Sequence, residues 1–499
     1  MSKGRLVAGA AKTDITPSVG TPSEYGETTG VDLPLFTRAL VLTNGKETVA
    51  VSSNDLIYID QETVTEARRR TSEKTGIPGG NIMFCASHTH EGPVTYQGTK
   101  PAYLADRVTE VLCSAWESRR EARIGAAKGQ LVGVTINRRN PYGPADPDLG
   151  VMRVDDTQGK PMAILFNFAC HGVVLGHHRY HGISPDWPGH AEHHIEQLSG
   201  EKMIALFANG PCANINPYTS IGYTGFTDMG GDVNDVDRIG NLVALHATII
   251  SNQIQTTEEA RLTSVSTSKR LRGDDKLGPR KRIEALIAER TRMTEVLRKE
   301  NGESASERVA RAEKDMEYLK AYYEVLNEAA RKSTYLDLDK TVENPQSSEI
   351  QVIGVNDIRL VGVPGECFTE YGLYIKERAL AMGFKCTFVA ELTNGGWWGY
   401  IPTQIAFDEL GYEALNALAF TGLSHKAGET IVDAALELIG RTGPPKDPAP
   451  RPFVKRPLPR GHSVNTIKPL ARTRMDRLSE TLPYHHEIRA RSLEDIQDP

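Results

Sequence analysis

Two histidines, His88 and His90, lie in the short segment SHTHEGP, directly after the apolar run NIMFCAS. In an extended segment their side chains project to the same face, because side chains alternate with a period of two. One neutral imidazole can bind zinc, and a second one nearby, with a pKa near ~6.5, can act as a general acid or base. The pair favours a metal-assisted site, although capping or surface histidines give the same pattern.

A second metal-ligand candidate is His171, which follows the apolar run AILFNFAC and precedes a glycine. The segment HAEHH (190–194) is predicted to be helical, with His190 and His194 on one face. It is not HExxH, and Glu192 does not occupy the position of a zincin general base. We therefore interpret this cluster as lining a pocket or supporting the metal ligands, and a second metal near His177 to His194 stays an open alternative.

Eight segments along the chain form an ordered set. They are TDITP, SHTHEGP, INRR, NFACHG, SPDWPG, NGPCANINP, VPGE and GYIPT, followed by a later YE. In this order they resemble the landmarks of the amino-terminal catalytic domain of the neutral/alkaline ceramidase family, over about positions 7 to 440. The resemblance implies a zinc-dependent hydrolase that cleaves the C–N amide bond of an N-acyl substrate, with one zinc ion per chain.

The resemblance also implies a role for seven residues. The metal ligands it implies are His88, His171, Glu366 and Tyr400. The further catalytic residues it implies are His90, Arg138 and Tyr412. The two tyrosines are twelve residues apart, as in the family.

This set of side chains has a coherent chemistry. Two imidazoles, a carboxylate and a phenol oxygen can leave one zinc position open for water, and the metal lowers the pKa of that water toward ~7. His90 would move the proton, while Arg138 and Tyr412 would face the developing oxyanion. Three aspartates are expected to orient the ligands or to hold loops: Asp14, Asp55 and Asp186.

Each assignment has an ordinary alternative. Glu366 could cap a helix that begins at Cys367, since an acidic residue complements the helix dipole. The two tyrosines could be simple packing aromatics, because the chain has 17 tyrosines. Arg138 lies beside Arg139, so either arginine could be the functional one. At the level of the reaction, an ester or lactone hydrolase, a metal-dependent phosphoesterase and a non-catalytic binding protein remain alternatives.

Alternating apolar runs and helical patterns predict an α/β fold, a layered mixed-sheet catalytic domain. Helical spacing of apolar residues with charged outer faces predicts a helical hairpin inserted at 278–335. Seven prolines within 444–459 exclude a helix there. The predicted organisation is a zinc hydrolase domain over 1–440 and an extended proline-rich tail over 441–499.

The composition narrows the class of partner. The 499-residue chain has 39% hydrophobic and 24% charged residues, as is typical of a globular protein. Its net charge of −6 does not favour binding to nucleic acid. The sequence contains no apolar run of about 18 residues, so no membrane span is predicted. The amino terminus has no secretory apolar core and the six cysteines form no CxxC pair, so we expect a cytoplasmic protein. A homo-oligomer could form through the hairpin or the tail.

Overall fold

The computed structural model describes most of the chain up to residue 443. The described residues are 3–23, 26–92, 101–175, 180–219, 231–273, 277–299, 303–332, 348–396 and 399–443. His177, His178 and the predicted tail from residue 444 onward lie outside these stretches.

An eight-stranded mixed sheet forms the centre of the fold. Its strands are β1 Val7–Asp14, β2 Phe36–Thr43, β3 Thr48–Asn54, β4 Ile82–Ala86, β5 Arg120–Gln130, β6 Asp148–Asp156, β7 Pro161–Phe168 and β8 Ile204–Asn209. Their order across the sheet is β8-β7-β6-β5-β1-β2-β3-β4. The outermost pair on each side is parallel and all pairs between them are antiparallel. The sheet curves until its two sides meet, and the Ser53 hydroxyl donates to the Phe207 carbonyl at 2.6 Å.

Four helices cover one face of this sheet. They are α1 Gln61–Thr75, α2 Pro101–Glu117, α3 Asp186–Leu198 and α4 Val233–Asn252. The alternation along β2 explains the arrangement, since Val41 packs against the first two helices and Leu42 packs on the opposite face. Both faces of the sheet are covered over much of its area, and strands such as β4 and β7 therefore read as continuous apolar runs.

A second sheet packs on the other face. Its strands are β9 Leu262–Ser268, β10 Glu349–Val355, β11 Ile358–Gly362 and β12 Cys386–Ala390, in that order, with only the last pair parallel. Leu360 and Phe388 of this sheet share a core with Leu165 of the large sheet. Its outer face is covered by helices α7 Thr369–Ala381 and α10 Ala427–Arg441. The four layers are helix, sheet, sheet and helix, which confirms the predicted layered α/β fold.

The predicted helical hairpin is confirmed as α5 Pro279–Leu297 and α6 Glu303–Lys332. Ile283 and Leu319 anchor the hairpin in the core under the second sheet. Two short helices, α8 Gln404–Glu409 and α9 Tyr412–Asn416, lie beside it. Tyr318 of α6 meets the ring of Tyr412 edge-on at 6.0 Å between centroids. The hairpin therefore packs against a segment that carries one of the candidate residues. The boundaries 1–440 and 441–499 stay predictions.

Short two-stranded pairs complete the fold. They join Gly4–Arg5 to Glu259–Ala260, Pro22–Ser23 to Gly26–Glu27, Thr135–Asn137 to Ile215–Pro217, and Glu366–Cys367 to Tyr400–Ile401. Within the described stretches, no helix combines the length and the apolar character that crossing a bilayer requires.

Candidate active site

Three candidate metal ligands come together from loops that follow three strands. His88 follows β4 and His171 follows β7 in the large sheet, while Glu366 follows β11 in the second sheet. Each of the three is 5% exposed or less. The bridge between Thr89 and Gly172 joins the two histidine loops directly. The site is therefore assembled where the two stacked sheets meet.

Backbone carbonyls fix the orientation of both imidazole rings. His88 Nδ1 lies 2.8 Å from the carbonyl oxygen of Ile57. His171 Nδ1 lies 2.7 Å from the carbonyl oxygen of Cys212 and 3.0 Å from that of Ile215. Carbonyl oxygens only accept, so each ring carries its proton on Nδ1. The Nε2 atom of each ring is then the atom available to a metal ion.

Both Nε2 atoms face the same carboxylate oxygen. Glu366 Oε2 lies 3.3 Å from His88 Nε2 and 3.2 Å from His171 Nε2. Bonds of ~2.0–2.1 Å to a tetrahedral zinc ion place ligand atoms roughly 3.3 Å apart. Three electron-rich atoms at this spacing, in a buried place, fit a cation such as zinc.

The charge state of the two imidazoles differs. Burial, together with the nearby Arg138 guanidinium, lowers the pKa of His171 to about 3. Burial works in the same direction on His88, but the Glu366 carboxylate outweighs it and raises the pKa of that ring. The pKa of Glu366 is lowered, because the two imidazoles outweigh the effect of burial. His171 is thus a neutral ligand and Glu366 an ionised one.

Tyr400 reaches the cluster through backbone pairing. Its Cα is the register partner of Glu366 in the short parallel pair of strands. The ring of Tyr412 lies 5.4 Å from that of Tyr400, and the Arg138 guanidinium lies 5.2 Å and 5.7 Å from the two ring centroids. Glu413 accepts from Arg138 Nε at 3.0 Å and holds the guanidinium in this position.

The remaining predicted residues also fall within this neighbourhood. The ring of His90 lies 4.8 Å from that of His88 and 6.4 Å from that of His171. Arg139, the neighbour that sequence alone does not separate from Arg138, turns toward Glu413 and donates to it at 2.7 Å. The structure thus brings all seven predicted residues together, while their catalytic and metal-binding roles stay predictions.

One local expectation was wrong, and one of the ordinary alternatives is excluded. The histidine segment is not a regular extended strand, because His88 has a φ of 66°, in the left-handed region. The two rings come together through this turn rather than through strand alternation. Glu366 does not cap a helix at Cys367, since both residues form a strand and α7 begins at Thr369 with no side-chain cap.

The three aspartates hold other groups than the histidine rings. Asp55 accepts from Arg38 Nη1 at 2.8 Å. Asp14 and Asp186 accept from backbone N–H groups and hold loops. Of the two expected roles of these aspartates, the structure supports the holding of loops and not the orientation of the histidine ligands. A backbone carbonyl has no sequence signature, so the true ring acceptors were not predictable.

The HAEHH segment forms part of α3, as predicted. His190 Nε2 lies 2.8 Å from Asp32 Oδ2, and His194 Nε2 lies 2.8 Å from Asp237 Oδ1. Neither imidazole belongs to the group formed by His88 and its two partners. This second histidine cluster is therefore separate from the candidate metal centre.

The chain is similar to known proteins in parts of its sequence and in its structure. No family model matches the chain. The neutral ceramidase of Mycobacterium tuberculosis is 30% identical over 172 residues, which are 28% of this chain and 26% of that protein. The neutral ceramidase of Pseudomonas aeruginosa is 25% identical over 248 residues, which are 42% of this chain and 36% of that protein. The aligned segments thus cover about a quarter to a third of these relatives.

Solved structures extend the likeness over the whole fold. The crystal structure of the Pseudomonas aeruginosa neutral ceramidase has a TM-score of 0.65 at 19% identity, covering 91% of this chain and 77% of that one. A structure described as ceramidase complexed with C2 has a TM-score of 0.64 at 18% identity, covering 92% and 78%. The chain resembles neutral ceramidases in these partial sequence matches and in the fold that it shares with the solved structures.

One further buried residue near the site was not predicted from the sequence. Glu391 follows β12 and is completely buried. It accepts from the backbone N–H of Cys367 at 2.8 Å and from that of Cys212 at 3.2 Å, and the Cys212 thiol donates to it at 3.0 Å. These are the loops that carry Glu366 and the carbonyl bound to His171. An acidic residue directly after an apolar strand was the available signal.

Proposed function

We propose that this chain is a zinc-dependent hydrolase that cleaves the C–N amide bond of an N-acyl substrate. The observation that carries the proposal is the convergence of His88, His171 and Glu366, with both imidazole Nε2 atoms within 3.3 Å of one carboxylate oxygen. The sequence match to two curated neutral ceramidases supports the amide bond as the target.

The proposed ligand set is His88, His171, Glu366 and Tyr400. Zinc, when bound there, would supply Lewis acidity to a carbonyl oxygen or to a water molecule. Burial raises the pKa of the Tyr400 phenol far above its ordinary value, and the Glu366 carboxylate adds to this effect. In the protein without a cation Tyr400 is therefore a neutral phenol, and it would serve as a neutral ligand or a hydrogen-bond donor.

The other residues would handle charge and protons around the amide. Addition of water to the carbonyl carbon forms a C–O bond, the C–N bond then breaks, and the products are a carboxylic acid and an amine. His90 would take a proton from the water at a ring nitrogen and deliver it to the leaving nitrogen. Arg138 and Tyr412 would stabilise the negative charge that develops on the carbonyl oxygen. Glu413 fixes the guanidinium in place for this task.

The second candidate is an ester or lactone hydrolase. The same addition of water serves an ester carbonyl, and the three-residue cluster does not distinguish the leaving atoms. A matched pair of substrates, with the same acyl chain joined through nitrogen or through oxygen, would separate the two. For each substrate, kcat/KM would be divided by the rate of the uncatalysed reaction. If the protein is an amide hydrolase, this ratio should be larger for the nitrogen-linked substrate than for the oxygen-linked one.

A hydrolysis screen tests the proposal. N-acyl compounds of graded chain length, including a short-chain ceramide, would be incubated with the wild type and with His88→Ala. We expect hydrolysis by the wild type, with about one zinc at this site, and loss of both zinc and activity in the variant. His193→Ala, a histidine outside the cluster, is the matched control and should stay active. Full activity in His88→Ala would reject the assignment.

We also propose a cytoplasmic location and a role of the hairpin in self-association. All six cysteines are free, which fits a reducing compartment. Fractionation of cells that express the tagged chain tests the location. Light scattering of the wild type against a variant with charge reversals on α5 tests the association.

A further inference from the structure

A second cluster of metal-binding side chains joins α3 to α4. It consists of His190 and His194 on α3 and Asp237 on α4, and we call it the interhelix cluster. One ligand atom of each residue lies within 4.8 Å of the other two. His190 and His194 are four residues apart, so both imidazoles project from the same side of the helix. This i, i+4 spacing is one that helices use to present two histidines to one zinc ion.

The distances within the interhelix cluster suit a shared ion. Asp237 Oδ1 lies 2.8 Å from His194 Nε2 and 3.7 Å from His190 Nδ1. Ligand atoms around a tetrahedral zinc ion lie roughly 3.3 Å apart, between these two values. A shift of about half an ångström in the Asp237 carboxylate would equalise the two contacts.

The second ring nitrogen of His190 supplies an independent observation. His190 Nε2 lies 2.8 Å from Asp32 Oδ2, and the same carboxylate oxygen accepts from the Ser184 hydroxyl. A carboxylate accepts and does not donate, so Nε2 carries a proton, and Nδ1, which faces Asp237, is the ring nitrogen left for an ion. Metal-binding histidines are commonly held in this way, with the distal N–H on a carboxylate. The His190 side chain is 9% exposed, so packing holds the ring in this orientation.

We propose that the interhelix cluster binds a second divalent transition-metal ion, of which zinc is the probe of choice. Two imidazole nitrogens and one carboxylate oxygen match the ligand preferences of this class of ion and not those of magnesium or calcium. The Asp237 side chain is 58% exposed, so the ion is reached from solvent and water completes its coordination.

The position of the ion indicates what it does. It links α3 to α4, and the indole of Trp187 in the first turn of α3 donates to the carbonyl oxygen of His171 at 2.8 Å. A bound ion would therefore hold the helix whose first turn supports a proposed ligand of the other centre. The expected role is structural, as a cross-link between two helices that cover the large sheet.

Metal titration of the full chain tests the proposal. After treatment with a chelator, zinc binding would be measured by calorimetry and by metal content for the wild type and for four variants. The variants are Asp237→Ala, His194→Ala, His193→Ala and His88→Ala. We expect two zinc ions in the wild type and in His193→Ala, whose imidazole lies on the same helix outside the cluster. We expect one ion in Asp237→Ala and in His194→Ala, with affinity at the interhelix cluster reduced at least tenfold.

Each outcome bears on one centre. The interhelix site would be overturned if Asp237→Ala and His194→Ala kept two ions at wild-type affinity. It would also be overturned if His193→Ala lost one zinc ion as these two variants do. His88→Ala should keep the interhelix ion, and retention of both ions in that variant would reject the first centre alone. Asp237 lies on the surface, so metal-free Asp237→Ala should unfold at the wild-type temperature. Added zinc should raise the unfolding temperature less in this variant than in the wild type.

Discussion

Glu391 offers the most direct test of how the two sheets hold the candidate active site. Its side chain accepts the backbone N–H groups of Cys212 and Cys367 from two different loops. One loop carries the carbonyl that orients His171, and the other begins at Glu366. Glu391→Ala would remove the acceptor and leave both N–H groups buried.

The size of the effect follows from the number of groups left unpaired. A buried backbone donor without a partner costs about 1–3 kcal/mol, so two of them cost roughly 2–6 kcal/mol. Folded globular proteins have a free energy of unfolding of about 5–15 kcal/mol, so the alanine variant should lose a large part of its stability. Glu391→Gln keeps an acceptor oxygen and should lose only about 1 kcal/mol.

Urea unfolding and zinc competition with a chelator provide the assays. In Glu391→Ala we expect weaker zinc binding, by about 10–100-fold, because supporting residues of metal sites have effects of this size. Glu391→Gln should keep most of the zinc affinity of the wild type. Glu437→Ala, at an exposed position of α10, is the matched control. An alanine variant within 1 kcal/mol of the wild type, or a glutamine variant as damaged as alanine, would refute the reasoning.

The same residue predicts a pH dependence. Burial, and then the Glu366 carboxylate, raise the pKa of Glu391 from 4.5 to about 8. Between these values the folded protein binds more protons than the unfolded chain, so the free energy of unfolding falls as the pH rises. Glu391→Gln has no proton to lose and should flatten this slope in chelator-treated protein. Equal slopes in wild type and variant, measured by urea unfolding from pH 5 to 8, would contradict the prediction.

Three further substitutions test other parts of the structure. Arg38→Met removes the guanidinium that pairs with the buried carboxylates of Asp55 and Glu192 and should cost about 3–5 kcal/mol in urea unfolding. Gly150→Ala places a Cβ about 2.4 Å from the Phe388 ring, between the two sheets, and should cost about 1–3 kcal/mol. Tyr318→Ala removes the hairpin ring that meets Tyr412 and should lower kcat/KM by up to about tenfold with unchanged zinc content.

Each of these substitutions has a control of the same type. Arg69→Met changes an arginine that is half exposed and should stay within 1 kcal/mol of the wild type. Gly440→Ala lies where a Cβ meets nothing within 4 Å, so it should not destabilise the fold. Tyr103→Ala removes an exposed ring of α2 and should leave kcat/KM unchanged. A control that matches its partner variant in effect would show that the named contact is not the cause.

The sequence was sufficient for features that depend on local pattern. Short apolar runs predicted the buried strands, and helical spacing predicted the hairpin of α5 and α6, because burial selects apolar residues at those positions directly. The histidines of the site were accessible because they follow apolar runs, whereas Glu366 and the two tyrosines were assigned only through the resemblance to the family. The sequence did not show that His88 and Glu366 come from different sheets, because the strands of both sheets have the same apolar pattern.

The missed features share one physical cause. The groups that orient the site are mainly backbone atoms, such as the carbonyls of Ile57 and Cys212, and any residue can supply a carbonyl. Their positions depend on long-range packing, in which Glu391 joins two loops that are far apart in the chain. The proposed metal centre therefore depends on the contact between the stacked sheets as much as on its ligands. Substitutions at that contact, such as Gly150→Ala, should weaken zinc binding along with stability, although they touch no ligand.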